Sequence, residues 1–455
     1  MVGSPALRRY DVVVVGAGVA GLLASYELSR RGFRVALIEL KPEKKIGEKV
    51  CGDAIGEHHF MEIGLEPPKI GEDAEGIFRG VRVFSPKEDK HIVAEGRGYA
   101  LNRYKFGRRL LKISLDAGTE LFAEHRFVKP VVEGSWVRGV VVLTPSGSEE
   151  FRARLVIDAT GVPAAVRHRL PQSWWVSEDV PREDFNTTYR EVWEVDMELD
   201  TDYADIFLNA EVAPGGYWWF FPKKKNVVNV GLGVQLKEGA PNPMHMFMKY
   251  LRKRFEKKIV RVLHGGGGLV PTRRPIPCMV WNGFAVVGDA AATANPVHGG
   301  GIGSGMLGAH LAAKAIAGAL ESGEPSIERL WSYPVEYMQK YGAKQASLDI
   351  LRMFLQKLSN DDLQFVFDVG AVGGSELLDI GYRGELRMSI LTKLSMGLRM
   401  LRRPSFLTRV VKLKEYMDRA RNLYLDYPRS PNEYEKWRVE ERKFFSEYRR
   451  WLEEQ

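Results

Sequence analysis

Cysteine is almost absent from this chain: Cys51 and Cys278 are the only two in 455 residues. Two thiols exclude a disulfide framework and any four-cysteine metal or iron–sulfur cluster, leaving one Cys51–Cys278 bridge as the sole covalent option. No metal site is expected. No apolar run reaches the roughly 18 residues a membrane-crossing helix needs, so no such helix is expected. Lysine and arginine never gather into a tract interleaved with stacking aromatics, and a formal charge of +8 is modest for this length. Both observations argue against a nucleic-acid partner. Arg8-Arg9 before an apolar run has the outline of a secretory leader, but Asp11 and the glycines after it belong to a folded element. The expected location is therefore the cytoplasm, with peripheral contact on the cytoplasmic face of a membrane. Hydrophobic content of 45% and charged content of 27% are ordinary for a globular protein, and the length allows two or three domains.

What is present begins at Tyr10. Val12 to Val15 form a β-branched run with no solvated face, which reads as a buried strand. Gly16-Ala17-Gly18-Val19-Ala20-Gly21 follows, then a helical pattern stopped at Gly32 and a second apolar run, Arg34 to Ile38, that ends on Glu39. Strand, glycines, helix, strand and acid in this order form a dinucleotide-binding fingerprint. Gly16 suits the tight turn, Gly18 the approach of a pyrophosphate, Gly21 close packing of helix on strand, and Glu39 the adenosine ribose.

Further along, Phe60 to Leu65 reads as a short helix and Ile77 to Phe84 as a strand. Arg103 stands at the start of another helix, where its guanidinium suits a phosphate. Leu155 to Gly161 reads as a strand closing the nucleotide domain. From Asn186 to Val234 short alternating, aromatic-rich segments predict an antiparallel sheet. The first pattern returns at Gly283, runs into Gly288-Asp289, a glycine loop to Gly305 and an Ala-rich helix, Met306 to Leu320. The fold class is thus α/β: a doubly wound, Rossmann-like domain with an inserted antiparallel sheet and a helical C-terminal region. The expected boundaries are 8–185 and 281–330 for the two parts of the nucleotide domain, 186–280 for the sheet and 331–455 for the helices. Two separated half-sites suit a cofactor larger than one nucleotide. Asp289 is placed for ribityl hydroxyls, and the N–H groups of Gly300, Gly301 and Ile302 for the far end of a flavin, so FAD is expected rather than NAD.

These motifs, with Lys49-Val50-Cys51-Gly52-Asp53-Ala54, Asp158-Ala159-Thr160-Gly161, Pro214 to Lys223 and Pro296 to Gly303, make the chain resemble the FAD-dependent geranylgeranyl reductases of the p-hydroxybenzoate hydroxylase-like flavoproteins. The resemblance runs from Tyr10 to about Pro428 and is closest to the archaeal digeranylgeranylglycerophospholipid reductase family. It implies saturation of isoprenoid chains by FAD, on a geranylgeranyl phospholipid or geranylgeranyl diphosphate, with an external reductant such as ferredoxin or an NADPH-type donor. Val19, Ala20, Cys51, Gly52 and Val128 join the expected cofactor contacts. No histidine follows Gly288-Asp289-Ala290-Ala291, and Gly-Gly-Gly stands where hydroxylases usually carry Gln, which disfavours a monooxygenase.

Alternation puts Tyr217, Trp219 and Phe221 on one strand face and Trp218 and Phe220 on the other. All five are substrate-binding candidates, one aromatic face lining a tunnel for a hydrocarbon chain. Reducing an isolated alkene requires a hydride from reduced flavin and a proton for the other carbon, so a nearby acid is needed. Cys51, Asp53 and Tyr217 are the donor candidates, with Cys51 preferred because an unperturbed thiol (~8.5) is more acidic than a phenol (~10). Leu398 to Leu413 is basic and apolar and suits a lipid phosphate or an anionic bilayer. A flavin monooxygenase or halogenase, and an electron-transfer flavoprotein to a membrane quinone, are the alternative readings. The second type carries a C-terminal cysteine cluster, and this chain has no cysteine after Cys278.

Overall fold

The structure, a computed structural model, describes residues 7–370, 372–386 and 403–455. Two eight-stranded sheets organise it. The first is built on Leu7–Val15 (β1), whose buried valines pair in parallel with Val35–Ile38 (β2) on one side and Gly147–Asp158 (β9) on the other. Glu120–Phe122 (β6) extends the β2 edge in parallel and Phe284–Val286 (β16) the β9 edge. Val280–Trp281 (β15) closes that side antiparallel, and the hairpin of Arg126–Glu133 (β7) and Trp136–Thr144 (β8) leans on the first half of β9. This is the doubly wound sheet expected from the sequence. Helix Val19–Ser29 packs between it and helices Arg103–Asp116 and Ile302–Ser322.

The second sheet runs Ile259–Pro271 (β14), Phe185–Val195 (β10), Val227–Gln235 (β13), Trp218–Lys224 (β12), Tyr203–Phe207 (β11), Ala74–Phe84 (β4), His91–Leu101 (β5) and Ala54–Gly56 (β3). All pairs are antiparallel except β11 with β4. Here the sequence reading differs from the structure. It assigned 54–101 to the nucleotide domain, but β3, β4 and β5 complete the second sheet. Their alternation is broken by bulges at Ala74/Gly76 and Phe78/Gly80, which hides the period-2 signal. The β14 strand, interrupted in sequence by Gly265 to Gly268, was also not expected.

The C-terminal helices share the core of the nucleotide domain rather than forming one of their own: Tyr416, Tyr424, Phe445 and Tyr448 lie in the same apolar cluster as Val12 to Val15. They also hold the cofactor-side loops in place. Buried Gln345 donates to the carbonyls of Arg273, Ala292 and Ala294 at 2.8, 2.6 and 3.0 Å, and Tyr333 donates to Val286 O at 2.9 Å. Where the chain returns from the second sheet, Arg274 pairs with Asp349 and Glu441, and Arg352 with Asp184, all nearly fully buried. Of the basic stretch expected to meet lipid, residues 398–402 lie outside the described residues. In the remainder Phe406 and Leu413 are buried in the core. There Arg403 pairs with Asp362, Lys412 with Glu415, and Lys414 with Asp418. No helix among the described residues is long and apolar enough to cross a membrane.

Candidate active site

The nucleotide end is set by steric necessity. Gly16 has φ +104°, and a Cβ there would lie 2.4 Å from Ala159 O; one at Gly21 would lie 1.9 Å from Gly16 O. At Gly18 a Cβ would meet nothing within 4 Å, so the loop is open on the side where a phosphate approaches. Helix Val19–Ser29 starts there with no side chain capping it, which leaves its first N–H groups free for an anion. Glu39, expected at the adenosine ribose, stands at the end of β2 and accepts from Ala17 N at 2.7 Å and Lys41 N at 2.9 Å, so its carboxylate also braces the glycine loop.

Arg103 is the first residue of its helix, behind the Asn102 cap. Among the described residues its Nε and Nη1 are buried with no partner. A guanidinium left in this state asks for an acceptor such as a phosphate. Asp289 follows Gly288 in a tight turn after β16, with Lys49 Nζ 4.0 Å from its Oδ2. Burial pushes its carboxyl up, against Lys49 and Arg103, yet 23% of the side chain is accessible, as for a group lining a recess. Open loop, orphaned guanidinium and enclosed carboxyl together fit an extended dinucleotide. Val19 and Ala20 open the first helix and Ile302 the later one, whose N-cap is Gly301. Val128 is exposed at a bulge in β7, the most peripheral of the expected cofactor contacts.

On the substrate side the strand alternation holds, with a consequence for two residues. Tyr217, Trp219 and Phe221 form one row, at centroid spacings of 6.1 and 6.0 Å, against Phe78, Ala100 and Ala204. Trp218 instead stacks on Phe207 at 3.7 Å, and Phe220 lies on Phe255 at 5.4 Å, both in the separate core behind the sheet. Those two expected substrate contacts face away from the Cys51 loop, because the pleat turns them to the other side of the sheet.

The Cys51-Gly52-Asp53 loop lies against this row: a Cβ at Gly52 would be 3.3 Å from the Phe221 ring and 3.9 Å from Trp219 Nε1. Asp53, at φ +66°, is buried; its Oδ2 accepts from Lys223 Nζ at 2.7 Å and Asn229 Nδ2 at 3.2 Å. Lys223 also donates to Leu101 O at 2.7 Å and lies 3.1 Å from Glu75. Asn229 donates to Cys51 O at 2.8 Å and accepts from Trp219 Nε1 at 3.0 Å. Of the three donor candidates, Asp53 is thus committed to tying the loop to β12 and β13. Cys51 Sγ accepts from Asp53 N at 3.3 Å. Burial, then the Asp53 charge, pushes its thiol up, so it stays protonated at neutral pH. Burial pushes Tyr217 up further, and its hydroxyl is spent on His298 O at 2.6 Å. Cys278 is buried elsewhere, donates to Val280 O at 3.1 Å and is pushed up to about 12 by burial; both cysteines are free thiols.

Sequence reasoning missed Lys223 and Asn229 as site residues, and also Arg190, a 3% exposed cation on β10 that donates to His264 Nδ1 at 2.5 Å. The signal for Asn229 was available: it is the one polar side chain in the run Val227 to Val234. Among the described residues no cluster suits a metal.

Residues 184–270 match the geranylgeranyl reductase catalytic domain family and residues 11–167 the FAD dependent oxidoreductase family. The chain is 41% identical to a digeranylgeranylglycerophospholipid reductase of Sulfolobus acidocaldarius, over 98% of this chain and 99% of that protein. The fold matches a geranylgeranyl bacteriochlorophyll reductase-like protein of Thermoplasma acidophilum, with TM-score 0.76 and 23% identity over 90% of this chain and all of that one. It also matches a flavin-dependent brominase, with TM-score 0.65 and 17% identity over 86% and 98%. At those identities the two structures report on the fold alone.

Proposed function

We propose, since the chain belongs to the digeranylgeranylglycerophospholipid reductase family, that it saturates C=C bonds in the geranylgeranyl chains of isoprenoid membrane lipids with FAD as its redox group. The observation that carries this reading is the placement of a protonated thiol, Cys51, on a loop packed against a row of aromatic side chains ending in Tyr217.

Arg103 and the open face at Gly18 would hold the pyrophosphate, Glu39 the adenosine ribose and Asp289 the ribityl chain. When bound, reduced FAD supplies the hydride. The chain's own residues do the rest. Tyr217, Trp219 and Phe221 offer the isoprenoid apolar surface and keep water from the double bond. Cys51 supplies the proton to the second carbon, and Asp53, Lys223 and Asn229 fix the loop that aims it. Losing such an acid costs ~10² to 10⁴ in rate. Reducing equivalents come from an external donor, ferredoxin or an NADPH-type reductant, and the substrate is met at the cytoplasmic face of the membrane. The likeness to a brominase is one of fold and adds no second reading. The test is optical: geranylgeranyl lipid added anaerobically to the reduced holoprotein restores oxidised-flavin absorption. Absorption unchanged until air enters contradicts the reading.

A further inference from the structure

The face of the second sheet that carries Trp219 and Phe221 also carries a cation. Cross-strand pairing puts Gly266, Arg190, Gly231 and Trp219 in one row across β14, β10, β13 and β12. The next row on that face is His264, Val192, Asn229 and Phe221. Both neighbours of Arg190 in its row are glycines. A Cβ at Gly231 would lie 2.3 Å from the Trp219 ring and 2.5 Å from Arg190 Cβ, so indole and arginine stem close over it.

The Cys51 loop crosses this face. A Cβ at Gly266, on β14, would lie 2.9 Å from Val50 Cγ2, and one at Gly52 would lie 3.3 Å from the Phe221 ring, on β12. Between them Asn229, on β13, donates to Cys51 O at 2.8 Å. Cys51 therefore spans the middle strands, and Arg190 on β10 lies beneath its loop.

Arg190 is 3% exposed, and its Nη1 donates to His264 Nδ1 at 2.5 Å. An imidazole nitrogen that accepts is unprotonated, so this contact brings no negative charge. Arg190 Nε is buried with no partner among the described residues. Burying a cation without an anion is costly. Burial lowers Arg190, and the charges of Asp53 and Cys51 oppose this. Asp53 Oδ2 is already held by Lys223 and Asn229, which leaves the thiol. Burial, then the Asp53 charge, hold that thiol up against Arg103 and Lys49. Of those two cations, Lys49 faces Asp289 at 4.0 Å and Arg103 is assigned to the pyrophosphate.

We propose that Arg190 is a positioning residue for Cys51, its guanidinium stabilising the thiolate left when the thiol gives up its proton. This rests on the reductase reading and extends it from the acid to the charge behind the acid. In the step, the S–H bond of Cys51 breaks and a C–H bond forms at one alkene carbon. The other carbon takes a hydride, with its electron pair, from reduced FAD. The sulfur keeps the pair of the broken bond as a thiolate facing Arg190, and a solvent proton restores the thiol. A neutral side chain in place of Arg190 makes the thiol a weaker acid and slows the transfer.

The experiment measures iodoacetamide alkylation of Cys51 at about pH 8.5, read by peptide mass, in holoprotein of wild type, Arg190→Met, Arg190→Gln and Arg190→Lys. Only the thiolate reacts, so the rate follows its population. An opposite charge moves a pKa by about one to three units, so the rate should fall about tenfold or more in Arg190→Met and Arg190→Gln. Arg190→Lys keeps the charge and should restore most of the rate. Either neutral variant decides the matter if the other does not fold. A rate that is unchanged, or raised because the loop has loosened, would overturn the proposal. Single turnover of geranylgeranyl lipid by the pre-reduced neutral variants should slow about tenfold or more, with the half-saturating lipid concentration unchanged. A raised half-saturating concentration with wild-type alkylation would make Arg190 a lipid contact and overturn the proposal. If wild type reduces no lipid, the reductase reading fails separately. Alkylation then still decides the pairing: slowed in the neutral variants supports it, and unchanged overturns it.

Discussion

Lys223 and Asp53 meet with Nζ 2.7 Å from Oδ2, at side-chain exposures of 6% and 3%, and this pair joins the loop bearing Cys51 to the strand bearing Trp219 and Phe221. Breaking it from the lysine side strands a buried carboxylate. Lys223→Met should therefore lower stability by about 3–5 kcal/mol in urea denaturation. Asp53→Asn should cost less, since Lys223 keeps Glu75 at 3.1 Å and Leu101 O. A Lys223→Met variant as stable as wild type would show that the pair holds nothing.

For Cys51, the raised thiol predicts slow alkylation by iodoacetamide at pH 7.5 and faster alkylation as the pH rises, because only the thiolate reacts. Cys51→Ser should bind FAD normally and, pre-reduced, turn over lipid ~10²-fold or more slowly in a single-turnover measurement. Near-normal turnover would leave Cys51 a packing residue and direct attention to Tyr217.

The parts of this architecture that were legible in the sequence are those where one stretch states its own constraint. The run from Val12 through Gly21 to Glu39 shows strand, turn and helix within 30 residues, and it folds as read. Tyr217, Trp219 and Phe221 follow from the pleat alone. What escaped depends on partners far away in the chain. Nothing near Asp53 announces Lys223, 170 positions later, so a carboxylate tied into an ion pair was open to reading as an acid. The strands from Ala54 to Leu101 lost their alternation to bulges and were assigned to the wrong sheet.

Arg103 offers a direct check on the cofactor. Its buried Nε and Nη1 have no acceptor among the described residues, so Arg103→Ala should leave apoprotein stability nearly unchanged. Charge-assisted bonds of this kind contribute about 1.5–3 kcal/mol, so FAD binding should weaken on the order of 10- to 100-fold in a fluorescence titration. Unchanged FAD affinity would remove Arg103 from the cofactor site.

The central claim, that this protein hydrogenates isoprenoid double bonds, is tested most directly by product mass. Holoprotein reduced with dithionite under argon is incubated with a geranylgeranyl phospholipid, and the lipid is extracted and weighed by mass spectrometry. The account predicts a ladder of masses, each two hydrogens above the last, formed without oxygen. Lipid that is unchanged under argon and gains oxygen or halogen only in air would contradict it.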